Sequence, residues 1–439
     1  MSKRIRATFF SSVTSLHITT CSCLAALLLS ACGGGTPGQY IAQGSTVPLK
    51  SDARVENSSV ISGLQSRHSI LEPGTPAKAI ASATLASNTG PGSADLRLRR
   101  IKADVEAKNW LPRIGPDISL TSMSSLAASL ILDVALFDNG RKRAEREYAV
   151  ADVEVAAVNL SIEANDRVYE ALSRYTDLQR SEMEARITRL AITKLEEFDA
   201  KAVQRVSSGY SNTTERSEIS QSLTEMRSVS SDAEQQAAQA RSQLSHMGVT
   251  VIPSPSFPLL SLRGHIAETP LDIALAEAKA NRGIAEARIE RAGSIPGLGA
   301  SVAASSSGST ASASVSGPGM GYGTGAITAA LSASQDLARQ NVTHARSQSA
   351  LKINALQGEI SRIEARRGIL KSRVTQAREG FELNSAQFIT GSRQLTDVVE
   401  AFTTMVGAEL ERSRSGFDLD QAKLDLAREY GVLADGNSI

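Results

Sequence analysis

The chain has 439 residues, 47 Lys plus Arg against 46 Asp plus Glu, one Trp and only 4% aromatic residues. The charge balance removes the broad basic field that nucleic-acid binding requires, and so few aromatics are poor material for several compact cores. Ala, Ser, Gln, Glu, Lys and Arg prevail instead, as suits long helices that meet through small residues.

At the start of the chain, Lys3, Arg4 and Arg6 precede an apolar run from Leu24 to Leu29, the pattern of an export signal. The run ends in Leu29-Ser30-Ala31-Cys32, which resembles the lipobox of bacterial lipoproteins. That resemblance implies removal of residues 1–31 and lipidation of Cys32, where more than one acyl chain, at about 0.8 kcal/mol per buried methylene, gives stable anchoring. Gly33 after the cysteine resembles lipoproteins sent to the outer membrane. An ordinary secretory peptide cut nearby is the alternative. Cys21 and Cys23 leave with the signal, so no cysteine pair remains for a disulfide or a zinc site. Residues 32–76, rich in Gly, Ser, Thr and Pro and without sustained periodicity, read as a lipidated, extended linker.

From Ala77 the chain falls into two similar halves, residues 77–250 and 269–434, separated by a proline-rich linker at 251–268 and followed by a tail at 435–439. Pro91, Pro112, Gly140 and Gly209 are matched by Pro270, Pro296, Gly325 and Gly391 at nearly constant spacing. Each half reads as a helix stopped by a proline, a hairpin of strands, a very long helix, a glycine turn and a return helix.

In the first half, Ala94 to Trp110 is helical in pattern. Leu126, Ala128, Leu130, Leu132, Val134 and Leu136 then alternate as in a strand with one oily face, within a hairpin at about 117–137. The run is long enough for a tilted membrane strand, although a soluble hairpin buried on one face fits the same pattern. Asp138 or Asn139 supplies an N-cap acceptor for a helix running from Arg141 to Arg205, roughly 100 Å at 1.5 Å per residue. Its seam, Tyr148, Ala151, Val155, Val158, Ile162, Asn165, Tyr169 and Leu172, steps by three and four and is broken only by Asn165. A first tip at 204–217, containing Gly209, turns the chain into a return helix from Glu218 to Met247, with Gly248 marking its end.

The second half is lighter: Asp272 to Ala292 is helical, a weaker hairpin lies at about 298–316, and a long helix runs from about Ala326 to Gln387. Gly358, Gly368 and Gly380 interrupt that helix, through either close helix approach or flexibility. Gly317 to Gly323 lacks the order and the lysine of a phosphate-binding loop and reads as a hairpin exit. The second tip, at 387–401, is QFITGSRQLTDVVEA.

The order of elements, LFDNGR after the first hairpin and ITGSRQLTDVVEAFTTM at the second tip resemble the TolC family of outer-membrane channels over roughly residues 77–433. The resemblance implies a mainly α fold joined to a membrane β-barrel: a homotrimer in which each chain gives four strands to a shared twelve-stranded barrel and its long helices to an α-barrel across the periplasm. A barrel needs about eight strands, so four from one chain independently require sharing. The implied function is the exit duct of an efflux or type I secretion system, served by a periplasmic adaptor and an inner-membrane transporter. A lipid-anchored adaptor or a structural envelope coiled coil is the alternative.

Nothing points to an enzyme or a cofactor. The five histidines are scattered, there is no HExxH or GxSxG, and charged residues on such helices are usually a solvated face. Arg393, Asp397 and Glu400 share one helix face, and on spacing alone Arg393 and Asp397 form an ordinary intrahelical pair. The resemblance implies a gate instead, in which Asp397 and Glu400 form acidic rings at the periplasmic entrance and Arg393 ties neighbouring helices, with Thr214 and Glu215 as candidate partners. Phe388 stands where the family has a tyrosine and cannot donate a hydroxyl hydrogen bond. Gly209 and Gly391 mark the tips where an adaptor would dock.

Overall fold

A computed structural model describes residues 58–436, apart from 89, 123–124, 211, 253–268, 306–307 and 318–323. The export signal, Cys32 and most of the inter-repeat linker lie outside the described residues. The elements are α1 (Ser59–Gln65), α2 (Pro76–Ala86), α3 (Gly92–Ala107), β1 (Arg113–Ser122), β2 (Ser125–Phe137), α4 (Arg141–Ser207), α5 (Thr213–His246), α6 (Leu271–Gly293), β3 (Gly297–Ser305), β4 (Gly308–Ser316), α7 (Thr324–Ile389) and α8 (Leu395–Tyr430). The order helix, two strands, long helix, return helix occurs twice. Pro91 and Pro270 stand at the same place in both copies, each as the N-cap of the repeat's first helix.

The four strands form one antiparallel sheet in the order β1-β2-β3-β4. Its register sorts side chains by face, because successive residues of a strand point to opposite sides. Arg113, Asp133, Ser301 and Ser312 pair in one row across the sheet, and Ile114, Leu132, Val302 and Ala311 pair in the next. One face is therefore apolar and the other small and polar. Ile114, Leu130, Val302 and Val315 are exposed, so nothing among the described residues covers the apolar face at these positions. The second hairpin, lighter in sequence, pairs without interruption from Gly297↔Ser316 to Ser305↔Gly308, since backbone ladders do not depend on side-chain size.

Asp138 launches α4 by accepting from the amides of Gly140 (3.0 Å) and Lys142 (2.8 Å). Its neighbour Asn139 takes a positive φ of 55° and donates to the carbonyls of Ile295 (3.1 Å) and Pro296 (3.0 Å), joining the exit of one hairpin to the entry of the other. At 67 residues α4 is about 100 Å long. It is the spine on which α1, α2, α3, α5, α6 and α8 all pack. Its middle buries Val168, Leu172, Tyr175 and Leu178 against Ile80, Leu244, Leu424 and Leu433. Each such side chain contributes about 1.5–3 kcal/mol by leaving water.

α7 is nearly as long, at 66 residues, but packs only along a narrow stripe against α6 and α8. Leu337, Leu351, Ile369 and Leu383 on its other sides are exposed. A Cβ added at Gly358, Gly368 or Gly380 would meet nothing within 4 Å, so no helix among the described residues approaches those glycines closely. No helix among the described residues is long and apolar enough to cross a membrane.

Two expectations from sequence are corrected. The segment before Ala77, read as an extended linker, contains α1 and the start of α2. Ser58 caps α1 by accepting from the Ile61 amide, Thr75 caps α2 with Pro76 at its first position, and Ile61 and Leu64 are buried. These caps and one apolar pair outweigh a Gly- and Ser-rich composition. Arg67 extends the anchoring by donating to the carbonyls of Tyr430 and Thr269.

Asn165 is likewise not a break in the seam. It is 2% exposed, donates to the Arg428 carbonyl (3.0 Å) and accepts from the Leu433 amide (3.1 Å), so it satisfies the backbone where α8 ends. One turn on, the Tyr169 hydroxyl donates to Asp425 (2.6 Å) and accepts from Gln421 (3.0 Å). Burial, and then the Asp425 carboxylate, push its pKa up to about 12.

Candidate gate at the hairpin ends

Both long helices stop in the same way. After α4, the Gly209 amide donates to the Val206 carbonyl (3.1 Å) and the Tyr210 amide to that of Arg205 (2.9 Å). After α7, Gly391 donates to Phe388 (3.0 Å) and Ser392 to Gln387 (2.8 Å). These are Schellman caps, which need a left-handed residue, and Gly209 and Gly391 supply it with φ of 75° and 77°. The return helices are capped from the turns. Asn212 accepts from the Glu215 amide (3.0 Å), and the Asp397 carboxylate reaches back to the Gln394 amide (3.2 Å).

The two hairpin ends share an apolar core. Leu195, Phe198 and Ala202 of α4, Ile219 of α5 and Leu395, Val398 and Phe402 of α8 are buried together, with Phe388 packed partly against them. Phe402 meets Phe198 edge-on with centroids 5.7 Å apart, and Phe381 at 5.3 Å. Further along, Glu184 of α4 is buried and accepts two hydrogen bonds from Arg414 of α8, at 2.9 and 3.0 Å, and one from Arg180 at 3.2 Å. Burial alone pushes its carboxyl up, but the two guanidinium groups outweigh burial and hold it below the ordinary range.

Around this core the polar residues singled out from sequence are distributed unequally. Arg393, in the turn before α8, is half exposed, donates to the Gln387 side chain (3.2 Å) and stands 3.7 Å from Asp397 in the first turn of α8. The i, i+4 pair expected from spacing forms, but as a contact from the turn to the helix rather than within a helix, because α8 begins only at Leu395. Glu400 and Thr214 are exposed. Glu215 is buried, and the cation beside it is Arg205, whose Nε lies 3.6 Å from its Oε1. The structure thus brings Arg393 to Asp397 and does not bring it to Thr214 or Glu215 of the same chain.

Arg205 is the residue that sequence reasoning passed over. Its guanidinium sits 5.4 Å from the centre of the Phe388 ring while its Nε faces Glu215. A signal was present: Leu195, Phe198, Ala202 and Arg205 step by three, four and three, which puts an arginine on the buried seam. Among the described residues no group of His, Cys, Asp and Glu is placed to hold a metal ion.

The fold is that of the TolC-like outer-membrane channels, long helical hairpins continued into a four-stranded sheet. No protein-family model matches the sequence, and neither does any curated protein. Solved structures do. A membrane protein from Pseudomonas aeruginosa matches with a TM-score of 0.72 at 16% identity, over 82% of this chain and 91% of the other. The outer-membrane protein VceC of Vibrio cholerae matches at 0.67 and 13%, over 87% and 96%. The open state of the MtrE outer-membrane channel of Neisseria gonorrhoeae matches at 0.67 and 16%, over 82% and 90%.

Proposed function

We propose that this chain is a protomer of an outer-membrane exit duct, a homotrimer that conducts substrate passively through a gated periplasmic entrance. The observation that carries the reading is the sheet. It has one bare apolar face, one polar face, and strands of 9 to 13 residues. A tilted membrane strand needs about 9–11 residues, and four strands are too few to close a barrel. Three copies would supply twelve, with the apolar row toward lipid and Arg113, Asp133, Ser301 and Ser312 toward the lumen. The helices support sharing as well. In this chain α6 packs between α4 and α7, whereas α3 packs on α4 and leaves Leu98, Ile101 and Val105 exposed. By the logic of the repeat, α7 of a neighbouring copy covers α3.

In the trimer, three copies of Asp397 and Glu400 gather negative charge at the entrance, and Arg393 engages Thr214 and Glu215 of a neighbouring helix when the duct is shut. Opening follows when a periplasmic adaptor docks on the tips around Gly209 and Gly391, with energy from an inner-membrane transporter. Lipidation at Cys32 would anchor the protein in the outer membrane of a Gram-negative cell. The adaptor alternative calls for one hairpin flanked by soluble β-domains, and two matched hairpins on one bare sheet favour the duct.

The test is incorporation of the purified full chain into planar bilayers, with fractionation of cell envelopes. Trimers in the outer-membrane fraction and discrete cation-selective conductance are expected; monomers in the inner membrane would overturn the reading. In the conducting protein, Arg393→Ser raises conductance, and Asp397→Asn with Glu400→Gln weakens block by divalent cations.

A further inference from the structure

We infer that Arg205 is the clasp that holds the end of the second hairpin against the end of the first; as a statement about gating, this rests on the duct reading. Three observations meet at this side chain. It leaves the last turn of α4, pairs with Glu215 in the first turn of α5, and lies over the ring of Phe388 in the last turn of α7. It therefore touches the ends of three helices belonging to both hairpins. Elsewhere near the tips the hairpins meet through α4 and, less extensively, α5 against α8, and α7 packs chiefly on α8 and α6. The Arg205–Phe388 contact is thus a direct link from the spine helix to α7.

The chemistry of the three groups fits this role. Phe388 offers no hydrogen bond, but its face attracts a guanidinium, which an arginine presents flat. Glu215 is 8% exposed and would be costly to leave buried as a lone carboxylate, so the cation beside it is held in place. Arg205 Nε and Glu215 Oε1 are both buried without a hydrogen bond and face one another across 3.6 Å. The pair is therefore in electrostatic contact without a directional bond. Swinging the second hairpin away removes the ring from the guanidinium while leaving the ion pair intact, so the step separates the tips without stranding a buried charge. The clasp holds the tips together yet lets go at low cost.

Hydrogen exchange read by mass spectrometry on the detergent-solubilised full chain tests the clasp without requiring conductance. Arg205→Gln is expected to speed exchange about fivefold at both ends, residues 205–215 and 385–394, with the Tyr175 core unchanged. Phe388→Leu, which keeps apolar packing and loses the ring face, should speed exchange at 385–394 by a similar factor. Arg205→Lys, a cation that still stacks and pairs, should fall between wild type and Arg205→Gln. Faster exchange confined to 205–215 would show that Arg205 serves only its own hairpin and would overturn the inference, as would no change at either end. In bilayers Arg205→Gln should raise closed-state current. A wild-type protein that never conducts would sink the duct reading, while the exchange result still decides the clasp.

Discussion

The Asn165 side chain allows a quantitative test of how the end of α8 is secured. Replacing Asn165 by Ala removes a donor to the Arg428 carbonyl and an acceptor from the Leu433 amide, in a place where Asn165 and Leu433 are 2% and 1% exposed. Each orphaned backbone group costs about 1–3 kcal/mol, and relaxation toward solvent near Arg428 favours the lower half of that range. A total of about 3 kcal/mol follows, which corresponds to roughly a hundredfold shift in a local opening equilibrium. Hydrogen exchange over residues 428–436 reads that equilibrium directly and does not require reversible unfolding of the whole protein. Asn165→Asp keeps the acceptor for Leu433 but faces the Arg428 carbonyl with oxygen, so it should be intermediate at Leu433. Exchange in Asn165→Ala within threefold of wild type would refute the assignment of Asn165 as the cap of α8.

Further outcomes follow from the same core. Glu184 has a depressed carboxyl pKa in the folded state, so its contribution to stability is present above the unfolded value and is lost as pH falls through the folded one. Glu184→Gln should therefore flatten the acid limb of a stability–pH profile, measured by the half-life of the folded protein across pH 3–6 (roughly the carboxylate range). Phe402→Ala deletes the ring packed between Phe198 and Phe381 and should cost about 3–5 kcal/mol, seen as protease sensitivity confined to the hairpin ends. Gly368→Ala adds a methyl that meets no described residue and should stabilise α7 by about 1 kcal/mol, seen as a raised Tm.

The long helices and their glycine ends were legible because their signals are local. Gly209 and Gly391 each follow a helix-period run, and a left-handed cap needs only the few residues around it. The strands were legible where apolar residues alternate, as in β2. In β3 and β4, built of Ala, Ser and Gly, the pattern was faint although the ladder is complete, because hydrogen bonding between backbones leaves little trace in composition. What escaped depends on contacts far apart in sequence. Asn165 looked like a flaw in a seam because its partners lie 263 and 268 residues away. Residues 58–71 looked unstructured because their anchors are in α4, at Thr269 and around the end of α8. At the candidate gate, the Arg393–Asp397 pair was readable from spacing, whereas Arg205 acts through Phe388, and no local pattern announces a ring on another helix.

The anchoring of the early segment has a consequence for biogenesis. Arg67 is held by the carbonyl of Tyr430, 363 residues later, and Ser69 and Lys78 are held by the carboxylate of Asp435. During synthesis these contacts cannot form until the region around 430 has emerged and α8 has docked on α4, although Arg67 can reach the Thr269 carbonyl earlier. Completion of the second repeat is therefore recorded in the segment that leads into the first. A chain arrested before Tyr430 would keep α1 on α4 but lack the contacts that Arg67, Ser69 and Lys78 make at the far end, leaving residues 67–78 more open to proteolysis than in a finished chain.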